Sequence, residues 1–578
     1  MSEENIPTPW LDHYPEERSP HLEYPNETQF DQLFNAANAA PDSPALIFED
    51  NILTYSELTS LVKRFAAGLQ KRGLKKGDRV ALMLPNTPHY VIAHHGVLAA
   101  GGIVVQVNPL YTPYELEHIL ADSGAEWMIT LGLEQFVEKI EEVKPKTNLK
   151  YVVYGAIADY LPANKRKLIP ILKFIPGINK KIKPILNTKK INWKDENIFN
   201  FLDFFAKEEE WQRPEINPKE DLALLQYTGG TTGLSKGAAL THHNLVANAK
   251  QVRDAFSIIP DGQGSVLTVL PLFHSFALTA CMGFSLQLKI PMILMAKFDA
   301  MTALDLIEKY KISFVPGVPT MFVAINQAIK KRGANMESVI AAISGGAPLP
   351  LEVMKEFQEL TNAPLVEGYG LSEASPVVTV NPLRNPRAGT IGQPVADTLI
   401  KIVDPDDGKT LKPIGEAGEL CVKGPQVMKE YWNKPEETAK ALRNGWLYTG
   451  DIAVMSEDGY ISIVDRKKDM IIVSGYNVYP REVEEALYKH PAVLEAAVAG
   501  VSHPVKGEVI KAWVVLKEGM TATEEEIIAH CKKYVAPYKA PKIVEFRDEL
   551  PKSLIGKILR RKLLEEEQQK QQQNNSNK

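Results

Sequence analysis

Tyr227-Thr228-Gly229-Gly230-Thr231-Thr232-Gly233-Leu234-Ser235-Lys236-Gly237 is the stretch from which the rest of the chain can be read. Gly229, Gly230 and Gly233 let the backbone fold tightly and turn its N–H groups inward. The Thr and Ser hydroxyls add donors, and Lys236 adds a single positive charge. That combination suits a polyphosphate. It is not a Walker A loop, in which a Gly-Lys pair is followed by Ser or Thr. Here Ser235 precedes Lys236 and Gly237 follows it, which disfavours a P-loop kinase or ATPase. A plain flexible turn would need neither the hydroxyls nor the lysine.

On either side of this loop, short apolar runs alternate with helical patterns. The runs at 79–84, 103–107 and 127–130 read as strands, with helix-like spacing over Tyr55–Lys71 and Pro113–Ser123. The alternation recurs at 269–270, 290–294, 312–315, 339–343 and 363–367, and it implies parallel α/β layers. From about 397 to 463 short strands broken by Gly, Pro and Asp predict a β-rich part. Beyond Asp465-Arg466-Lys467-Lys468-Asp469 a compact pattern resumes, with a helix near 481–490 and strands near 494–501 and 511–516. The predicted fold is therefore α/β: a large N-terminal domain (1–466) of two α/β lobes plus a β-rich subdomain, then a smaller α+β C-terminal domain (467–564). Residues 565–578 hold no apolar side chain and are predicted to be disordered.

Composition narrows the class. At 578 residues, 44% hydrophobic and 24% charged, the chain has material for several cores. A net charge of -5 gives no global pull towards nucleic acid. Three dispersed cysteines, Cys281, Cys421 and Cys531, fit a reducing cytosol better than a disulfide framework. The polar, acidic start lacks the apolar core of a signal peptide. Between Gly264 and Lys289 lie 24 residues without Asp, Glu, Lys or Arg, long enough to span a bilayer. Pro271, His274, Gly283 and Gln287 make buried strand, loop and helix the better reading. The segment 161–194 holds ten Lys or Arg and no acid. Its apolar neighbours suit peripheral contact with anionic lipid at the inner membrane face. Its four prolines favour an irregular solvated insertion instead.

The loop resembles the phosphate loop of the adenylate-forming (acyl-activating) superfamily, and further motifs of that superfamily follow in order. Pro271-Leu272-Phe273-His274 resembles its aromatic–His element beside the acyl pocket, and Ser344-Gly345-Gly346-Ala347-Pro348-Leu349 its adenine-side loop. Glu367-Gly368-Tyr369-Gly370-Leu371-Ser372-Glu373 resembles the YGxTE motif, with Ser372 in place of the commoner Thr. Tyr448-Thr449-Gly450-Asp451 matches the ribose motif, Asp465-Arg466-Lys467-Lys468-Asp469 the hinge, and Pro551-Lys552-Ser553-Leu554-Ile555-Gly556-Lys557 the C-terminal lysine loop.

The resemblance implies roles residue by residue. Tyr369 would offer adenine an apolar face, with Gly345, Gly346, Ala347 and Gly370 small enough to let the base lie flat. Asp451 would hold the ribose hydroxyls, Arg466 would supply a second ribose or phosphate contact, and Ser372 would lie beside the nucleotide. Thr228 and Glu373 would ligate Mg²⁺. The loop residues Thr228, Gly229, Gly230, Thr231, Thr232, Gly233 and Lys236 would bind the phosphates of ATP, with His274 beside the acyl group. Lys557 would bridge the attacking carboxylate and the α-phosphate, Lys468 would be the pivot of a mobile C-terminal domain, and Gly475 would line the pantetheine channel of coenzyme A.

Asn444-Gly445-Trp446-Leu447-Tyr448-Thr449-Gly450-Asp451 and Val478-Tyr479-Pro480 look like bacterial long-chain fatty acyl-CoA synthetases. The implied partners are a fatty acid, ATP and CoA, with no nucleic acid; the resemblance also admits a homodimer. Three alternatives stay open: a medium-chain or aryl acyl-CoA ligase, a fatty acyl-AMP ligase, and an ATP-binding scaffold without turnover. The scaffold is disfavoured because binding ATP needs no Lys557.

Overall fold

The computed structural model describes residues 6–166, 197–228, 235–466, 469, 471–473, 476–503, 507–535, 539–553 and 558–576. Two open sheets build the large domain. The nine-stranded one runs, edge to edge, through Gln393–Pro394, Val377–Val380, Leu365–Gly370, Ala341–Ser344, Phe314–Gly317, Val266–Thr268, Met292–Leu294, Pro44–Phe48 and Asn51–Thr54. The eight-stranded one runs through Glu430–Tyr431, Lys236–Thr241, Leu222–Thr228, Ile103–Gln106, Arg79–Met83, Trp127–Leu131, Tyr151–Gly155 and Ile198–Asn200.

Their interiors are parallel, and antiparallel pairs occur only towards the edges. Parallel strands are covered on both faces and so read as unbroken apolar runs. Arg79–Met83 and Ile103–Gln106 are buried almost throughout. Helices Tyr55–Lys71 and Pro113–Ser123 start where local chemistry says they should. Thr54 with Glu57 and Thr112 with Glu115 form capping boxes, and Pro113 takes the first turn, where its missing N–H costs nothing.

The antiparallel sheet of Leu399–Val403, Gly418–Lys423, Trp446–Met455, Leu442–Arg443 and Ile461–Arg466 supplies the β-rich part. Beyond it, Ile471–Val473, Tyr476–Val478, Val493–His503, Gly507–Leu516 and Ile543–Phe546 form a further sheet. One apolar cluster reaches from Trp10 to Ile461. Two others, around Val498 and around Trp513, belong to the C-terminal part.

Two sequence expectations change, and a third, the reading of the uncharged stretch as buried strand, loop and helix, holds. The strand expected at 269–270 lies at Val266–Thr268. Residues 269–270 instead approach Pro271, and the Leu270 carbonyl accepts a bond from Asn86 at 2.9 Å, which takes it off the ladder. The tail expected to be disordered from 565 continues a helix, Arg560–Ser576. Glu, Gln and Lys are good helix formers. The helix is tied down by Leu563, which is buried, and by Glu566 on Arg547 (2.8 Å) and Glu567 on Lys511 (2.6 Å). The uncharged stretch 265–288 breaks into the strand above, a turn at Ser275–Ala277, a π-helix at Leu278–Gly283 and a short helix at Phe284–Leu288. Among the described residues no helix is long and apolar enough to cross a membrane. Most of segment 161–194 lies outside the described residues; at its start Lys165 pairs with Glu49 at 2.9 Å.

Candidate active site

Thr228, Lys236, Tyr369 and Glu373 come from the antiparallel edges of the two large sheets, and Asp451 and Arg466 from the β-rich sheet. Leu222–Thr228 and Lys236–Thr241 pair as a hairpin that sets Thr228 opposite Lys236. It brackets residues 229–234, so the expected phosphate ligands Gly229, Gly230, Thr231, Thr232 and Gly233 lie outside the described residues. The hairpin is clamped. His118 Nε2 meets the Ser235 carbonyl at 2.8 Å, and the Tyr227 hydroxyl donates to Asp122 at 2.8 Å. A Cβ on Gly237 would come within 3.1 Å of the Tyr227 ring.

Glu430–Tyr431 extends this edge, with Tyr431 opposite Ala238. Lys236 Nζ lies 4.7 Å from the centroid of the Tyr431 ring and 2.8 Å from Glu437 Oε2. The Tyr431 hydroxyl donates to Glu373 Oε1 at 2.7 Å. The expected phosphate lysine and the expected metal carboxylate are thus joined through one aromatic side chain.

Glu373 follows Leu365–Gly370, the strand that turns the nine-stranded sheet antiparallel. Four residues before it, Tyr369 donates its hydroxyl to Asp451 Oδ2 at 2.5 Å. Asp451 is buried on Trp446–Met455 and stands opposite Arg466 in register. Its N–H donates to Thr449 Oγ1 at 3.1 Å. Adenine-side and ribose-side candidates therefore share one surface.

Close approach explains two glycines here. A Cβ on Gly370 would fall 2.2 Å from the Pro376 carbonyl oxygen, and one on Gly345 would fall 3.1 Å from the Phe276 ring. Gly346 sits at φ +79, which favours glycine. The Ser372 hydroxyl is 3.3 Å from that of Ser275, and His274 Nδ1 accepts from the Phe276 N–H at 3.3 Å. Phe276 thus touches both the glycine loop and the His274 turn. Lys468, Gly475 and Lys557 lie outside the described residues.

The chain matches the AMP-binding enzyme family over residues 33–432 and the C-terminal domain of AMP-binding enzymes over 482–557. It belongs to the AMP-binding enzyme family. Its relatives include a long-chain-fatty-acid–CoA ligase of Bacillus subtilis (strain 168), 45% identical over 96% of this chain and 97% of that protein. A long-chain-fatty-acid–CoA ligase of Escherichia coli O6:H1 is 42% identical over the same shares. Among solved structures, ATP-bound MatB from Rhodopseudomonas palustris superposes with a TM-score of 0.78 at 28% identity, over 94% of this chain and 99% of that one.

In this AMP-binding enzyme, sequence reasoning gave no role to four residues that contact the candidates or lie beside them: Tyr431, Glu437, Glu367, which is read only as a motif member, and Arg481. The first two lie in Glu430-Tyr431-Trp432-Asn433-Lys434-Pro435-Glu436-Glu437. There an aromatic pair ahead of Asn-Lys-Pro marks a strand, a turn and a helix start, a readable signal for structure but not for a charge partner of Lys236. Glu367 is buried and meets Arg481 at 3.7 Å. Burial pushes its carboxyl up to about 7 although Arg481 pulls the other way.

Proposed function

We propose that this AMP-binding enzyme is a long-chain fatty acid–CoA ligase. In the first half-reaction a carboxylate oxygen of the fatty acid attacks the α-phosphorus of ATP, forming the acyl-adenylate and expelling pyrophosphate. In the second the sulfur of CoA attacks the acyl carbonyl carbon; AMP leaves and the thiol proton is released. The observation that carries the reading is the convergence of Lys236 and Glu373 on Tyr431, continuous through residues 369–373 with the Tyr369–Asp451 pair. Charge for phosphates and a surface for a nucleoside lie on one wall. The long-chain part rests on the relatives, 42–45% identical over 96% of the chain.

No protein nucleophile is needed, so the residues mainly position reactants and balance charge. Lys236 and the 229–233 loop would hold the phosphates, Tyr369 the adenine and Asp451 the ribose, with Arg466 a second ribose or phosphate contact. Glu373 and Thr228 offer the hard oxygen donors that Mg²⁺ takes, and the bound ion supplies charge neutralisation at the phosphate oxygens. Lys557 would bridge the carboxylate and the α-phosphate. The domain 467–564 would then turn about Lys468 and bring Gly475 to the pantetheine.

The test is AMP release with and without CoA across hexanoate, palmitate and coumarate. Palmitate is expected to give the fastest CoA-dependent release, since each buried methylene adds up to ~0.8 kcal/mol. Preference for coumarate or hexanoate would move the enzyme to the aryl or medium-chain class, and adenylate that accumulates untouched by CoA would make it an acyl-AMP ligase.

A further inference from the structure

Lys236 does not wait for phosphate as an unpaired charge. Its Nζ lies 2.8 Å from Glu437 Oε2, on the short helix Pro435–Ala441. The other oxygen of that carboxylate, Oε1, takes Lys440 at 2.7 Å. Glu437 is thus shared between a lysine of the site and a lysine one turn along its own helix, which together hold its carboxyl down at about 2. A phosphate that captured Lys236 would leave Glu437 still paired with Lys440, so no carboxylate would be stranded. The contact is partly exposed, with side-chain exposure of 29% for Lys236 and 37% for Glu437, where single ion pairs are weak and exchange readily.

Tyr431 is fixed far more firmly. Its backbone pairs with Ala238, and its N–H donates to Thr438 Oγ1 at 2.9 Å. The side chain is buried. A phenol is protonated at neutral pH, so its hydroxyl is available as a donor. It donates to Glu373 Oε1, which orients the carboxylate for a cation, as hydrogen bonds to metal ligands commonly do. The ring meanwhile lies under the Lys236 ammonium.

We propose that Tyr431 is the positioning residue that aims Glu373 and Lys236 at one polyphosphate–Mg²⁺ unit, and that Glu437 is a placeholder anion occupying Lys236 until phosphate displaces it. The proposal rests on the reading of Glu373 and Lys236 given above. Neither residue need touch the reacting atoms; each acts through another side chain.

The experiment is fatty-acid-dependent ATP–pyrophosphate exchange by the full chain, titrating Mg²⁺ at fixed ATP and then ATP at excess Mg²⁺. Tyr431→Phe keeps the ring under Lys236 and removes only the hydroxyl. It is expected to raise half-saturating Mg²⁺ about tenfold while shifting the KM for ATP at excess Mg²⁺ much less. Tyr431→Leu removes the ring as well and is expected to raise both. Glu437→Gln is expected to lower the KM for ATP by about two- to fivefold, the range a partly exposed ion pair spans. Unaltered Mg²⁺ dependence in Tyr431→Phe overturns the first half of the proposal, and an unchanged or raised KM for ATP in Glu437→Gln overturns the second. Glu373→Gln and Lys236→Ala run alongside: if they retain full exchange, the site reading itself is wrong. If they lose it while Tyr431→Phe and Glu437→Gln behave as wild type, only this inference falls.

Discussion

The wall around Tyr431 and the layer around helix Pro88–Ala99 are both crowded with ionisable side chains, and they treat them in opposite ways. On the wall Lys236, Glu437, Glu373 and Lys440 keep partial contact with water and hold partners that a ligand can replace. In the layer His89, His94, His95 and His242 are all buried. His94 Nε2 meets Gln29 Oε1 at 3.0 Å, and His89 Nε2 meets Asp159 at 3.1 Å. Both ring nitrogens of His95 lack a hydrogen-bond partner among the described residues. Burial pushes His95 down to about 3 and His242 to about 4. These rings stay neutral and pack as aromatics: His94 lies edge-on to His95 at 5.2 Å and stacks on Tyr90 at 5.8 Å. A dense group of titratable residues therefore does not by itself mark a site. What marks one is charge held in contacts weak enough to be exchanged.

The largest expected effect breaks the wall. Lys236→Ala should lower ATP–pyrophosphate exchange by roughly 10²–10³, as loss of a charge-stabilising donor does, with unfolding stability within about 0.5 kcal/mol of wild type. A large loss of stability with intact exchange would make the wall structural, like the layer. The next effect probes the layer. His95 has a folded-state value near 3, below the ordinary 6.5. Its contribution to stability is fully present above 6.5 and is lost as pH falls towards 3. Each such histidine steepens the loss by up to about 1.4 kcal/mol per pH unit. Urea unfolding between pH 7 and 5 should therefore show a shallower slope in His95→Leu, at unchanged exchange rate. Because the imidazole nitrogens have no partner, the change at pH 7 should stay within about 1.5 kcal/mol. An undiminished slope would show that His95 does not titrate on unfolding as burial requires.

The comparison also explains what the sequence could reveal. Parallel strands were legible because burial on both faces writes unbroken apolar runs such as Arg-Val-Ala-Leu-Met at 79–83, and Thr-x-x-Glu boxes announced the helices that follow Thr54 and Thr112. Tyr369 and Asp451 were legible as motif members, but their shared hydrogen bond was not, since 82 positions separate them. Glu437 escaped for the same reason: its partner Lys236 lies 201 positions away, and an acidic first turn of a helix is explained well enough by the helix dipole. The helical tail was misread because composition registers the lack of apolar residues in 565–578 but not the basic residues Arg547 and Lys511 awaiting Glu566 and Glu567. Local chemistry is written in local sequence, whereas charge partners are chosen by the fold.

Glu367 sharpens the comparison because it shares a property with each region: it is buried like the histidines and ion-paired like Lys236. Arg481, at the start of helix Pro480–Tyr488, points Nη2 at Glu367 from 3.7 Å while Nη1 donates to the Ile463 carbonyl at 3.0 Å. Burial outweighs the guanidinium and raises the carboxyl from 4.5 to about 7. The folded state then binds the proton more tightly than the unfolded chain. The group's contribution to stability is present below about 4.5 and is lost as pH rises through 7, opposite in sense to the histidines. Glu367→Gln preserves the shape of the neutral form and removes the titration. Its unfolding free energy should fall less than that of wild type between pH 6 and pH 8, by about 1 kcal/mol, the smallest of the three effects. If the variant instead keeps the wild-type pH dependence and is weaker at every pH, Glu367 is ionised throughout and works as an ion pair across the two domains. Desolvation would then not be the force that sets its state.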